Sequence, residues 1–531
     1  MKKNKVFFNG KIYTQGGDNV VVNSMAVSGR FIIAVGNNLD KSAEFKSWQK
    51  IDLKGRTVLP GFVDSHTHFY FLALWMGTAR LDGLRSLEAV LRKIEAHAAK
   101  LGRDEWLTGT GFSADRWDKY ILPDKFMLDR ASGGRPAAIY SKDQHLMWVN
   151  SKALELAGIS RMTPQPPGGR IDRFDNGEPN GILRENPAIF QVLKIIKGIE
   201  KSRVNKLWRQ ALQMAYSKGV TGVHSFDYWD AFAHFDRLSK KGKLGLRICH
   251  YPPASAIPRM EKLGIEFGYG NDYFRVAGVK IFADGALGSQ TAYCFNKYIG
   301  SKDNYGLETR TKKEILALIR AASRLNLACA IHAIGDKAIS NVLDCFEKAP
   351  ILKSGGRHRI EHLQMIRRQD IPRLIRLHVV ASMQPSHCPS DIKLIEKYWG
   401  GRGRNCYIFN TLLKKKVPLI FGSDAPIEPL GPISGIYAAV NRRPPGSGKP
   451  FYPEERISVT DAVNGFTAAP AHIVGWQFEH GYLLPGYKAD FIILSDNIYK
   501  VAATKIMNVK VLATFFDGRP VYIDDRTRIS F

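Results

Sequence analysis

The chain of 531 residues carries 77 Lys and Arg against 49 Asp and Glu, a formal net charge of +28 at pH 7. Apolar residues make up 44% of the sequence and charged residues 24%, which is typical of globular proteins and excludes a disordered, collagen-like or small disulfide-rich protein. The sequence shows neither a long apolar span nor an export signal, and its six cysteines are scattered. We therefore expect a cytoplasmic protein with reduced thiols.

The basic excess is compatible with two kinds of surface. Basic residues bunch at Arg367, Arg368 and Lys414 to Lys416, but they alternate with apolar residues at helical spacing and accompany no nucleic-acid-binding motif. We expect a solvated basic surface, a small-molecule substrate, and no nucleic-acid or membrane partner. A homodimer is expected only because homodimers are common.

Both ends of the chain predict short strands separated by turns. These are KVFFNGKIYT, NSMAVSG and RFIIAVG at the start, and KADFIILS, VKVLATFFDG and RPVYID at the end. Because chain termini often lie close together, we predict a small β-sandwich domain built from residues 1–56 and 480–531.

Between the two ends, residues 57–479 alternate apolar strand-like runs with helical patterns. The strand-like runs are TVLPGFVDSH, GVTGVHSF, LGLRICHY, FRVAGVKIFAD, LACAIHAIG, RHRIEHL, HVVASMQP and VPLIFGSD. Eight such strands predict an α/β fold, a (β/α)₈ TIM-type barrel. Residues 69–218 are too many for one crossover, so we predict an inserted subdomain over the barrel mouth, with TPQPPGGRIDRFDNGEPNG as a loop.

Candidate metal ligands follow the predicted strands. His66 and His68 end the first strand, and alternation in a strand places residues i and i+2 on one side. His332, His362 and Asp424 each lie at the carboxyl end of a later predicted strand, where barrel enzymes build their sites. Nitrogen and carboxylate donors of this kind suit zinc or a similar divalent ion.

Lys280 is unusual because it lies inside the apolar run VAGVKIFAD. A buried, unpaired ammonium is costly. The side chain could reach the rim, pair with Asp284, or react with CO₂ to form a carbamate. The residues alone favour the ion pair.

The order HxH, Lys, His, His, Asp resembles that of the amidohydrolase superfamily of metal-dependent hydrolases. The runs KIFADGALGSQTA, HAIGD, RIEHLQ, SMQPSH, FGSDAPIEP and GYLLPGYKADFIIL resemble its amidohydrolase-3 branch over almost the whole chain. The resemblance implies two divalent ions, with zinc expected and a one-ion site as the alternative. His66, His68 and Asp424 would hold one ion, His332 and His362 the other, and a carboxylated Lys280 would bridge them.

The implied reaction is hydrolysis of a carbon–nitrogen bond other than a peptide bond, in an amide or N-substituted formamide. A metal-bound hydroxide would attack the carbonyl, and Asp424 would shuttle the proton to the departing amine. Four further residues are expected to contact substrate, although structural roles stay open for them: His145, which the resemblance places at the cavity, and His224, His387 and Glu185.

Two alternatives remain. A deaminase or cyclic-amide hydrolase could use the same scaffold. Such deaminases typically have a catalytic Glu after a histidine, whereas Ser225 and Phe226 follow His224 in this chain. In a different class, an inactive barrel could act as a basic binding protein. The sequence leaves open the substrate, the native metal and the oligomeric state.

Overall fold

The computed structural model describes residues 4–17, 20–114, 117–119, 121–142, 146–196, 201–353 and 355–531. The protein has the mixed α/β fold expected from its sequence. The chain divides into two compact units: unit 1 comprises Met1–Leu72 and Gln210–Phe531, and unit 2 comprises Ala73–Arg209.

The amino-terminal segment of unit 1 consists of short strands. They are β1 Lys5–Phe8, β2 Lys11–Tyr13, β3 Val21–Val22, β4 Ser24–Ser28, β5 Phe31–Gly36, β6 Gln49–Asp52, β7 Thr57–Pro60 and β8 Phe62–Thr67. One sheet has the order β5-β4-β1-β6. In it, β1 pairs antiparallel with β4 and parallel with β6.

The next segment runs through unit 2 and alternates helices with strands. Its elements are α1 Phe69–Trp75, β9 Ala79–Arg80, α2 Leu87–Ala98, β10 Leu107–Phe112, α3 Lys125–Ser132, β11 Ala137–Ser141, β12 Leu146–Val149, α4 Ser151–Ala157, β13 Arg170–Arg173, β14 Pro179–Arg184, α5 Glu185–Leu193 and α6 Lys201–Ser217. The strands form one sheet of order β13-β14-β12-β11-β10-β9. The side chains of Ser86, Asp124 and Asn150 cap the amino termini of α2, α3 and α4.

The segment predicted to be a loop contains a hairpin instead. Strands β13 and β14 pair antiparallel across the turn at Asn176 and Gly177, and Gly177 has a positive φ of 85°. Asp-Asn-Gly is a strong hairpin signal, and the buried side chains of Ile171 and Leu183 attach the hairpin to a hydrophobic cluster. The prediction was wrong here because the many Gly and Pro residues outweighed this short signal.

The remainder of unit 1 alternates strands and helices and then ends in strands. Its elements are β15 Val220–Ser225, α7 Trp229–Lys240, β16 Arg247–His250, α8 Ile257–Lys262, β17 Phe274–Val276, β18 Gly278–Phe282, α9 Lys312–Arg324, β19 Ala328–Ala333, α10 Asp336–Phe346, β20 Arg359–His362, α11 Ile371–Arg376, β21 Val380–Met383, α12 His387–Tyr398, α13 Phe409–Lys414, β22 Leu419–Phe421, α14 Pro432–Asn441, α15 Val459–Gly465, α16 Ala468–Ile473, β23 Phe491–Leu494, β24 Val511–Phe516 and β25 Arg519–Ile523.

Two parallel sheets have the carboxyl ends of their strands at the candidate site described below. Their orders are β17-β16-β15-β8 and β18-β19-β20-β21-β22. Two backbone hydrogen bonds join the two sheets. Asp424 N, after β22, donates to His66 O in β8 (2.7 Å), and Lys280 N in β18 donates to Pro252 O, which follows β16 (2.8 Å). Every residue of β15 and β19 is buried, as expected for strands covered on both faces.

Strands from both ends of the chain share another sheet, of order β25-β24-β23-β7-β2-β3. Here β7 pairs antiparallel with β23, with Pro60 opposite Phe491. The predicted strand TVLPGFVDSH is therefore two strands in different sheets, separated at Gly61. A Cβ at Gly61 would lie 2.2 Å from Thr221 Oγ1, so this close approach requires glycine. In the described residues, no helix combines the length and apolar character needed to cross a membrane.

Candidate metal centre and active site

One cavity of about 430 Å³ in unit 1 collects the residues predicted to bind metal. Its lining includes His66, His68, Lys280, His332, His362, Asp424 and also His387. These side chains come from β8, β18, β19, β20, α12 and the residues after β8 and β22. The parallel strands end at one edge, so residues far apart in sequence meet there.

His66, His68 and Asp424 form the most compact group of donors. Their possible ligand atoms all lie within 4.8 Å of one another. Asp424 Oδ1 is 3.5 Å from Nε2 of both histidines. Asp424 itself has a φ of 62°, a left-handed conformation that Asp tolerates better than most residues. This conformation directs its carboxylate towards the two histidines while its backbone N–H binds His66 O.

The electrostatics of this group favour an anionic Asp424 beside a neutral His66. Burial, reinforced by the charge of Lys280, lowers the pKa of His66 to about 4. Burial opposes ionisation of Asp424, but the neighbouring His68, His66 and His362 together hold its pKa well below the usual value. A deprotonated carboxylate and a neutral imidazole are the forms that bind a divalent cation.

His332 and His362 lie beside this group. Their ring centroids are 4.5 Å apart, and the His362 centroid is 5.0 Å from that of His66. His332 Nε2 is 3.0 Å from the carbonyl oxygen of Gly285. If Nε2 donates this hydrogen bond, Nδ1 retains the free lone pair. Burial lowers the pKa of His332 to about 3, so the ring is neutral near pH 7.

Lys280 is buried at this site, and the ion pair with Asp284 is not present. Its Nζ lies 4.7 Å from the ring centroid of Phe226 and 5.0 Å from that of Phe282. Within the described ranges no carboxylate lies within ion-pair distance of it. The Asp284 carboxylate instead accepts hydrogen bonds from backbone N–H groups, including that of Gly335 at 2.8 Å. Burial lowers the pKa of Lys280 to about 8.

Two buried residues beside the histidines, Glu361 and Arg359, were not predicted from the sequence. Glu361 Oε2 is 2.5 Å from His66 Nδ1. Arg359 donates hydrogen bonds to Glu361 and, at 2.6 Å, to Ser382 Oγ. Burial opposes ionisation of Glu361, yet Arg359 and His66 hold its pKa far below the usual value. A carboxylate at Nδ1 orients the ring so that Nε2 faces the cavity.

The remaining predicted residues lie in different places. His387 lines the cavity, with Nε2 3.7 Å from Asp424 Oδ2. His224 is buried, and its Nδ1 is 3.0 Å from an Arg359 nitrogen. This contact fits the structural role that the sequence analysis left open for His224. Glu185 is an exposed residue at the start of α5 in unit 2. His145 lies outside the described residues. Substrate contact by all four stays a prediction.

Comparison with known proteins identifies the family. Residues 49–522 match the sequence profile of the Amidohydrolase family. The chain belongs to this family. The predicted membership of the amidohydrolase-3 branch is confirmed.

Similar proteins cover most of the chain. It is 32% identical over 534 residues to Protein LONG AFTER FAR-RED 3 of Arabidopsis thaliana, covering 97% of this chain and 91% of that protein. It is 25% identical over 533 residues to the N-substituted formamide deformylase of Arthrobacter pascens, covering 97% of each. A crystal structure of an uncharacterized metal-dependent hydrolase from Pyrococcus furiosus superposes with a TM-score of 0.79 at 30% identity, covering 94% of this chain and 100% of that one. These likenesses support an enzyme of the hydrolase class.

Proposed function

We propose that this amidohydrolase cleaves the carbon–nitrogen bond of an amide or N-substituted formamide rather than a peptide. The observation that carries the proposal is the convergence of the His66, His68 and Asp424 donor atoms within 4.8 Å in a substrate-sized cavity. The similarity to a formamide deformylase over 97% of both chains supports this bond type.

The proposed scaffold is a closed (β/α)₈ barrel of β8, β15, β16 and β18 to β22. Hydrogen bonds from Asp424 N, after β22, to His66 O in β8, and from Lys280 N in β18 to Pro252 O, after β16, support closure. Unit 2 would be the inserted subdomain. The sheet β5-β4-β1-β6 and the sheet β25-β24-β23-β7-β2-β3, which contains strands from both chain ends, would form the β-sandwich.

The donor chemistry fits two divalent ions, and zinc suits these nitrogen and oxygen donors. His66, His68 and Asp424 would hold the first ion, and His332 and His362 the second, with a carboxylated Lys280 between them. When bound, such ions polarise a carbonyl and make water more acidic. The burial of Lys280 without an ion pair among the described residues disfavours an ammonium. The lowered pKa favours the neutral amine, which is the form that reacts with CO₂ to give a carbamate.

The protein's own residues would move the proton. Asp424, which the neighbouring histidines keep ionised, would accept a proton as water attacks the carbonyl carbon. It would then deliver this proton to the nitrogen as the carbon–nitrogen bond breaks, so that an acid and an amine leave. His387 Nε2, which makes no hydrogen bond among the described residues, is placed to donate one to a substrate oxygen.

Asp424→Asn tests the proposed reaction. Acid–base catalysis contributes about a hundredfold or more, so we expect kcat for amine release from N-alkylformamides to fall by at least that factor with circular dichroism unchanged. Exposed Asp303→Asn is the matched control and should leave kcat unchanged. Equal rates in Asp424→Asn and wild type would contradict the proposal. Release of ammonia from cyclic amidines instead of amine from formamides would favour the deaminase alternative.

Metal content tests the bridging lysine. Elemental mass spectrometry of wild type purified with bicarbonate should give about two divalent ions per chain, and Lys280→Ala should give fewer. The exposed Lys302→Ala variant should match wild type. One ion in wild type, unchanged in Lys280→Ala, would rule out the two-ion arrangement.

A further inference from the structure

A second cavity, of about 540 Å³, lies in unit 1 beside the cavity that the predicted metal ligands line. We call the latter the histidine-lined cavity. Glu428 lines both cavities. The wall between them comes from the start of α12 and the loop after β22. His387 and Asp391, one helical turn apart, line the histidine-lined cavity, whereas Ser386 and Ser390 line the second cavity. The two cavities are therefore neighbouring compartments that meet at Glu428.

The second cavity is chemically unlike the first. Carbon-rich side chains dominate its lining, including Leu430, Ile433, Tyr437, Met507 and Val511. Its charged residues are Glu428, next to the first cavity, and Lys218 and Lys510 elsewhere in the lining. Its volume falls within the range of about 300 to 1,000 Å³ that is typical of small-molecule sites. Such a lining gains free energy by removing a hydrocarbon group from water. It offers no cluster of ligands for a metal among the described residues.

The boundary between the cavities carries a negative charge. Ser390 Oγ, in the lining of the second cavity, donates a hydrogen bond of 2.8 Å to Glu428 Oε1. An aliphatic amine has a pKa near about 10.4 and leaves as an ammonium ion near pH 7. A carboxylate at the boundary attracts that cation, whereas it repels the carboxylate of the acid product.

We infer that the second cavity binds the apolar N-substituent of the substrate, with Glu428 beside the nitrogen end of that group. This inference rests on the proposed amide hydrolysis. It names the substrate class as amides and formamides with a long or bulky hydrocarbon on nitrogen and a small acyl group. Glu428 is a specificity-determining residue in this arrangement, and Ile433 contributes to the hydrocarbon site.

Two matched substrate series test the inference. One is N-butylformamide to N-octylformamide, and the other is N-methylpentanamide to N-methylnonanamide. In wild type we expect kcat/KM to rise about fourfold per methylene in the N-alkyl series, the effect of burying one CH₂, and to stay flat in the acyl series. A rise confined to the acyl series would overturn the inference.

Filling the cavity provides the second arm. Ile433→Trp should flatten the N-alkyl series, while Ile351→Trp, at a side chain that is 94% exposed, should preserve its slope. Pro445→Trp, from another part of the lining, is a second filling variant if Ile433→Trp does not fold. A slope that survives in both filled variants would show that the hydrocarbon binds elsewhere.

Direct binding separates this inference from the proposed reaction. If neither series is hydrolysed, the proposed reaction fails, but calorimetry with octylamine and butylamine on the zinc-loaded protein still tests the cavity. We expect octylamine to bind about two-hundredfold more tightly, from four buried methylenes, and Ile433→Trp or Pro445→Trp to remove the difference. Equal affinities in wild type would overturn the inference.

Discussion

Glu361 shows how a residue outside the histidine-lined cavity can orient a proposed metal ligand, His66. Its carboxylate lies between the ring of His66 and the guanidinium of Arg359, and all three side chains are buried. The hydrogen bond to Nδ1 selects the tautomer whose Nε2 lone pair faces Asp424. Arg359 in turn compensates the charge of Glu361, so loss of either residue would leave the other as an unpaired buried charge.

Glu361→Gln should weaken metal binding about 10-fold to 100-fold, because an amide is a poorer acceptor for the His66 N–H. Competition with a fluorescent zinc chelator measures this affinity. The same variant leaves Arg359 buried without its counter-charge, so the free energy of unfolding should fall by about 3 to 5 kcal/mol.

The matched control for this change is Glu347→Gln. Glu347 pairs with Arg373 and Arg376 at the surface, where ion pairs are worth about 1 kcal/mol or less. Metal affinity should not change in this variant. Wild-type zinc affinity in Glu361→Gln would contradict the role assigned to Glu361.

At the scale of elements, local patterns located the strands better than they located their partners. The apolar runs around His332 and His362 form β19 and β20, and α9 and α10 precede and follow β19, in keeping with the predicted alternation of strands and helices. The run TVLPGFVDSH shows no sign of its division, because that depends on contacts of Gly61 with Thr221. Pairing partners are chosen by such distant contacts, which period-2 alternation does not encode.

His358, just before β20, connects two neighbouring strands and makes stability depend on pH. Its Nδ1 accepts a hydrogen bond from the backbone N–H of Cys329 at 3.1 Å, and its ring stacks on Phe346. Burial lowers the pKa of His358 to about 4. Between pH 6.5 and 4 the unfolded chain therefore binds more protons at this residue than the folded chain.

We expect the free energy of unfolding to fall by roughly 1 to 3 kcal/mol through this residue as pH falls across that window. His358→Asn keeps an acceptor for the Cys329 N–H but cannot titrate there. Urea unfolding at several pH values should give a flatter profile for this variant, while exposed His378→Asn should keep the wild-type slope. Identical slopes for wild type and His358→Asn would refute the assignment.

At the scale of the whole molecule, the proposed metal binding would be linked to folding, because His66, His68 and Asp424 come together only in the folded chain. A ligand that binds only the folded state stabilises it by about 4 kcal/mol at a thousandfold excess over its Kd. Zinc should therefore raise the Tm of metal-depleted protein, measured by differential scanning calorimetry. His68→Ala should reduce this shift and exposed His378→Ala should not. An equal shift in His68→Ala would place the stabilising ion elsewhere.

The net charge of +28 also acts at this scale. It favours association with anionic polymers by counterion release, and such binding weakens steeply as salt rises. The binding-protein alternative predicts this salt dependence together with a protein that hydrolyses none of the amides. An active hydrolase whose kcat does not depend on salt would instead indicate that the basic residues form a solvated surface.

The sequence by itself determined the family, the mixed α/β class and which residue types could bind metal, because motifs and periodicity are local properties of the chain. Tertiary structure decided which groups touch. Glu361 meets His66 across 295 positions, β7 joins β23 in one sheet, and Glu428 lies where two cavities adjoin. These contacts depend on how strands and helices pack, and residues close in space but distant in sequence share no local pattern.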